Sequence, residues 1–185
     1  PAGQMVGTEH LRGYRKWMDL PARNKALLRK EHDGKVARVS SFPEEITLAT
    51  TIRCNKNPPC AICERNVRTN DLEWDCPDII IERLKPVFPH LDILYLHCSG
   101  EPLFYHRFAE LLHMVRPPTK IRFNSNAVLL TQEKIDLIME TGVVDVINFS
   151  LDAATEETYR KIRGRGFNRV VRNIGNLNKA KLARG

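Results

Sequence analysis

Apolar positions fall at two different spacings along this chain, and the change of spacing divides it. From Pro1 to about Pro43 the spacing is helical: Leu11, Tyr14, Trp17 and Met18 share one face, and Pro21 is expected to interrupt that helix. After Pro43, short β-prone runs alternate with helical ones. Ile46–Ile52 is rich in β-branched residues and reads as a first strand. A helix follows Asp78, carrying Ile80, Ile81 and Leu84 up to Pro86, and Ile93–His97 reads as a buried second strand. Pro102 to Val115 supplies a helix and Lys120–Asn124 a third strand. Thr131 is placed to N-cap a helix whose Ile135, Ile138 and Met139 share a face and which ends near Gly142. Val143–Leu151 reads as the fourth strand. Thr155 then caps a helix with Glu156 and Glu157 in its first turn and Arg160, Lys161 and Arg163 before Gly164, signs that suit the helix dipole at both ends. Val170, Ile174 and Leu177 mark a last helical piece.

Four strand–helix units in series call for an α/β fold with a parallel sheet and right-handed crossovers, doubly wound or barrel-like. A complete (β/α)8 barrel needs about 250 residues. The expectation is therefore a partial parallel (β/α) barrel, with residues 1–43 a helical extension and 44–185 the N-terminal half of the barrel, the chain being a piece of a longer enzyme.

Composition narrows the function classes. The chain has 185 residues, 42% hydrophobic and 28% charged, and no apolar stretch approaches the roughly 20 residues that span a bilayer. The first forty residues lack a secretory pattern, so a reducing cytoplasm is the expected compartment. There, five cysteines suggest metal or redox chemistry rather than disulfides. The net charge of +7 is spread over Arg12–Lys16, Arg23–Lys35 and Arg160–Arg172 without stacking aromatics, which favours a solvated basic surface over a nucleic-acid site.

The chemistry-bearing residues follow the strands. Cys54-Asn-Lys-Asn-Pro-Pro-Cys60-Ala-Ile-Cys63 comes just past the first, where ligands bind in parallel α/β folds. Three thiolates leave one iron of a [4Fe-4S] cluster open, but zinc with Cys76 or a histidine as fourth ligand fits the triplet equally well. His97-Cys98-Ser99-Gly100-Glu101-Pro102-Leu103 follows the second strand. It offers a glycine for close backbone approach and a carboxylate able to accept from an ammonium. Asn124-Ser-Asn-Ala127 follows the third and Ser150-Leu-Asp152 the fourth. Each alone reads as a turn or cap. A polar motif after every strand is what the functional rim of such a fold predicts.

In this order, the Cys triplet, Ser99-Gly-Glu-Pro-Leu103, Ser125-Asn-Ala127 and Ser150-Leu-Asp-Ala-Ala-Thr-Glu-Glu-Thr-Tyr-Arg-Lys-Ile-Arg-Gly164 resemble the radical S-adenosylmethionine (SAM) superfamily. The likeness covers about Ile46 to Leu177 and is greatest to peptide-modifying members with the auxiliary-cluster (SPASM) type of extension. It implies that Cys54, Cys60 and Cys63 ligate three irons of a [4Fe-4S] cluster while SAM binds the fourth. Ser99, Gly100 and Glu101 would hold the SAM amino group, Asn126 and Ser150 would lie near the ribose, and Arg163 would pair with the SAM carboxylate. It further implies reductive cleavage of SAM to a 5′-deoxyadenosyl radical that abstracts hydrogen from a substrate, here a peptide or protein, with an electron from a flavodoxin or ferredoxin. Three departures stand out. The first two cysteines are two residues further apart than the usual C-x3-C-x2-C, Ile62 replaces a common aromatic that packs beside adenine, and Ala127 stands where glycine is usual. Cys98 is expected to pack as a small core residue. The rival reading is a non-catalytic zinc-binding module with a basic, nucleic-acid-contacting surface.

Overall fold

In the computed structural model, residues 17–67, 74–97 and 99–184 are described; Leu11, Tyr14 and Cys98 lie outside them. The elements are α1 (Leu20–Asp33), β1 (Glu45–Thr47), α2 (Asp78–Leu84), β2 (Ile93–Leu96), α3 (Phe108–Met114), β3 (Lys120–Ser125), α4 (Gln132–Thr141), β4 (Val144–Phe149), α5 (Glu156–Arg163) and α6 (Phe167–Leu182). The sheet order is β1-β2-β3-β4, every pair parallel. A sequential order has no switch point, so of the two architectures open to the sequence this is the barrel-like one, with four of its strand–helix units.

Strand side chains alternate between two faces. Leu94, Leu96, Ile121 and Phe123 are fully buried and join Leu111, Ile135 and Ile138 from the helices in one core. Each such side chain contributes about 1.5–3 kcal/mol relative to exposure. The opposite face carries Arg122, whose Nη2 lies 2.8 Å from Asp145, and Asn124, which accepts from Asn148 at 3.1 Å.

The helix ends obey local rules. Thr131 accepts from the Lys134 N–H and Thr155 from the Thr158 N–H, and Gly142 closes α4 at φ +62°. Two expectations need correction and one is completed. As expected, the helical stretch of Trp17 and Met18 ends ahead of Pro21, at a turn on Asp19; Pro21 itself lies in the first turn of α1, where proline is favoured because the N–H groups have no partner in any case. The first strand keeps only Glu45–Thr47 against β2; further along, Thr51 bridges Asp75 antiparallel and Ile52 N–H bonds the Trp74 carbonyl at 2.9 Å. The predicted helix from Pro102 splits into a 3₁₀ turn, Pro102–Phe104, and α3, because Tyr105 is extended (ψ +127°), buried, and bonded through its hydroxyl to the Cys76 carbonyl at 3.2 Å. No helix of the described residues is long and apolar enough to cross a membrane.

Candidate functional site

The exit of the first strand is anchored before the cysteines begin. Asp75 accepts from Thr51 Oγ1 at 2.5 Å and Arg53 Nε at 3.0 Å, and Arg53 lies over the Phe104 ring, 5.1 Å from its centroid. Desolvation pushes the Asp75 carboxyl up, but the Thr51 and Arg53 hydrogen bonds together outweigh it and hold the pKa below the ordinary value.

Cys54 begins the loop half-buried. Desolvation raises its thiol pKa, against a hydrogen bond from the Lys56 backbone N–H. Asn126 Nδ2 lies 3.5 Å from its sulfur and 2.9 Å from Asn55 Oδ1. Cys60 is buried, with its Sγ 3.7 Å from the Arg163 carbonyl. Cys63 donates its N–H to the Cys60 carbonyl at 2.9 Å, and Asn66 Nδ2 donates to that carbonyl at 2.6 Å. Ile62 projects from the loop, 65% exposed.

The Gly100–Glu101 step locks this loop to the end of β2. A Cβ on Gly100 would sit 2.2 Å from the Thr51 carbonyl oxygen and 2.6 Å from that of Arg53. The close approach expected of Gly100 is thus to the strand-one exit. Glu101 N–H donates to the Arg53 carbonyl at 2.8 Å. The Glu101 carboxylate is 2% exposed and accepts from Leu103 N–H at 3.2 Å, Ser125 Oγ at 2.8 Å and Asn126 N–H at 2.7 Å. Burial raises its pKa and these donors lower it, with a net rise. A carboxylate offers about four lone-pair positions, so one remains for an ammonium.

Beyond β3, Ala127 adopts φ +57°, a left-handed conformation that glycine takes without strain. Ser150 N–H donates to the Ser125 carbonyl at 2.9 Å, joining the ends of β3 and β4. Arg163 forms an ion pair with Asp152, and desolvation of its guanidinium is outweighed by Cys60 and Asp152. Lys56, which no motif singled out, is 7% exposed and donates to the Tyr159 hydroxyl at 3.0 Å and the Arg165 carbonyl at 2.9 Å. Lys56 and Asp75 had no readable signal; Tyr159 lay unremarked inside the Ser150–Gly164 segment.

Glu101, Ser125, Asn126 and Cys54 therefore form one hydrogen-bonded series, while Arg163 reaches the loop through Cys60. Ser99 and Gly100 immediately precede Glu101 in the chain. Cys76, offered as a zinc ligand, is buried in the core. Among the described residues no three His, Cys, Asp or Glu side chains are drawn together tightly enough to hold a metal ion, the loop thiols included. The donor set itself suits an iron–sulfur cluster with one open iron: three free thiols within ten residues, beside a buried carboxylate with spare acceptor capacity.

The family model of the radical SAM superfamily matches residues 48–184. The chain belongs to the radical SAM superfamily, enzymes that use a [4Fe-4S] cluster and SAM. It is 27% identical over 169 residues to "Probable GTP 3',8-cyclase" of Methanosarcina mazei, covering 85% of this chain and 49% of that protein. It is 29% identical over 109 residues to the "Tungsten-containing aldehyde ferredoxin oxidoreductase cofactor-modifying protein" of Pyrococcus furiosus, covering 57% and 30% respectively. The chain thus spans half or less of the length of these relatives. Streptococcus suis SuiB bound to the precursor peptide SuiA has a similar fold, with TM-score 0.62 at 18% identity over 93% of this chain and 36% of SuiB. SuiB bound to S-adenosylmethionine gives 0.57 at 16% identity, over 93% and 35%. With this membership the zinc-module reading falls.

Proposed function

We propose that Cys54, Cys60 and Cys63 ligate three irons of the [4Fe-4S] cluster and that Ser99, Gly100 and Glu101 receive the amino group of SAM. Asn126 and Ser150 lie near its ribose, Ile62 beside its adenine, and Arg163 pairs with its carboxylate. The observation that carries this reading is Asn126, which gives its backbone N–H to Glu101 and its side chain to Cys54. One residue so ties the carboxylate to the first thiol. When bound and reduced, the cluster supplies the electron that cleaves SAM to methionine and a 5′-deoxyadenosyl radical for hydrogen abstraction. The chain's own part is positioning. Glu101 supplies the acceptor for the ammonium, Arg163 supplies a planar fork for the carboxylate, and the buried Gly100 contact keeps strand exit and rim together.

The substrate we propose is a peptide or protein, in keeping with the resemblance to peptide-modifying members and the SuiB-like fold. A nucleotide is the second reading, favoured by the relative named a GTP cyclase. The reductant is a flavodoxin or ferredoxin, the compartment the cytoplasm, and residues 1–43 an extension to a barrel half at 44–185. The test is anaerobic reconstitution with iron and sulfide. Brown protein whose reduced-cluster electron paramagnetic resonance changes on adding SAM supports the proposal, as does loss of both in Cys60→Ser. Bound zinc with no SAM effect overturns it. Conversion of GTP by the reconstituted protein would replace the peptide reading with the nucleotide one.

A further inference from the structure

Lys56 is the only Lys, Arg, Asp or Glu between Cys54 and Cys63, and its ammonium is buried. Among the described residues no carboxylate pairs with it. Its partners are neutral: the Tyr159 hydroxyl, the Arg165 carbonyl and the Tyr159 ring, whose centroid lies 4.8 Å from Nζ. Burying an unpaired cation is costly unless its surroundings are electronegative. Here they are, because α5 ends at Arg163 and directs its terminal carbonyls toward the loop. Three loop donors meet that end. Ala61 N–H bonds the Ile162 carbonyl at 2.9 Å, the Cys60 thiol faces the Arg163 carbonyl at 3.7 Å, and Lys56 takes the Arg165 carbonyl.

Cluster binding changes this junction. A metal-ligating cysteine is a thiolate with no proton to donate, so Cys60 would lose its hydrogen bond to the Arg163 carbonyl. Lys56 and Ala61 then carry the docking. We propose that Lys56 is a positioning residue that clamps the cysteine loop to the C-terminal end of α5 and so fixes the separation between the loop thiols and the Arg163 guanidinium. The inference rests on the cofactor reading above.

Two arms test it. In metal-free protein, the amide exchange of Ala61 reports the junction directly. Lys56→Met should accelerate it about tenfold, the loss of one charge-assisted hydrogen bond, and Lys56→Arg should return it toward the wild-type rate. In reconstituted protein, Lys56→Met should keep its iron and weaken SAM binding about tenfold, with Lys56→Arg restoring the affinity. Wild-type Ala61 exchange and wild-type SAM affinity in Lys56→Met would overturn the proposal. If Lys56→Met does not fold, Tyr159→Phe takes its place: it removes the phenol acceptor, keeps ring and charge, and must also accelerate Ala61 exchange, and an unchanged rate there overturns the proposal. Wild-type protein that takes up neither iron nor SAM would sink the cofactor reading instead, while the metal-free arm still decides the role of Lys56.

Discussion

Gly100→Ala places one methyl group where the chain has no room for it. The new carbon would meet the Thr51 carbonyl oxygen at 2.2 Å, the Arg53 carbonyl oxygen at 2.6 Å and the Ile52 carbonyl carbon at 2.8 Å. All three are backbone atoms, so no side chain can rotate away. Nor is the backbone free to move, since Ile52 N–H is bonded to Trp74, Arg53 N–H to the Thr51 hydroxyl, and the Arg53 side chain to Asp75. Overpacking of this kind costs about 1–3 kcal/mol where neighbours can adjust, and rigid backbone puts Gly100 at the upper end. Separation also breaks the Glu101 N–H bond to the Arg53 carbonyl, worth about 1 kcal/mol. The sum, about 4 kcal/mol, is a large part of the roughly 5–15 kcal/mol that holds a domain folded.

Urea denaturation of metal-free protein, followed by circular dichroism, measures it. Gly142→Ala is the internal comparison, because a Cβ there meets nothing within 4 Å and its cost comes only from φ +62°, about 1–2 kcal/mol. Gly100→Ala should be the more destabilising of the two. A cost below that of Gly142→Ala would refute the claim that Gly100 is required by packing against the strand-one exit.

Ala127→Gly relieves left-handed strain at φ +57° worth about 1–2 kcal/mol, but it removes a fully buried core methyl worth about 0.8 kcal/mol and adds about 0.5–1 kcal/mol of chain entropy. The thermal midpoint should therefore stay within about 4 °C of wild type, and a larger shift would contradict this. Glu101→Gln tests the buried carboxyl. Its pKa is raised by burial, so the stability it contributes is present below the unfolded value of about 4.3 and is lost as pH rises through the raised folded value. The stability difference, wild type minus Glu101→Gln, should therefore shrink as pH rises above that unfolded value, and urea midpoints showing it grow would refute the assignment. Arg163→Lys exchanges a fork for a point charge and should weaken SAM binding about ten- to hundredfold without loss of iron, whereas equal dissociation constants by equilibrium dialysis would remove Arg163 from the SAM site.

What was legible in the sequence was local. Thr131, Thr155 and Gly142 cap their helices through contacts within four residues, and the apolar alternation of Leu94, Leu96, Ile121 and Phe123 follows from the pleat alone. The rim motifs were legible for a related reason: once the strands are located, their carboxyl ends are located too. Pro21 was read as a helix break, and the helical stretch of Trp17 and Met18 does end before it; that it also opens α1 was not read, because proline serves both ends of a helix. The run Ile46–Ile52 has one β-prone composition but two partners, Ile93–Tyr95 for its start and Trp74–Cys76 for its end. Propensity has no access to that choice. The same limit governs the candidate site. Asn126 meets Cys54 across 72 residues and Lys56 meets Tyr159 across 103, so neither contact leaves a spacing to find. A lysine in a polar loop reads as solvated by default, and only the Tyr159 hydroxyl and the Arg165 carbonyl just past α5 turn Lys56 into a buried donor. A motif search recovers groups that would touch a cofactor; the groups that hold those in register are found only where distant segments meet.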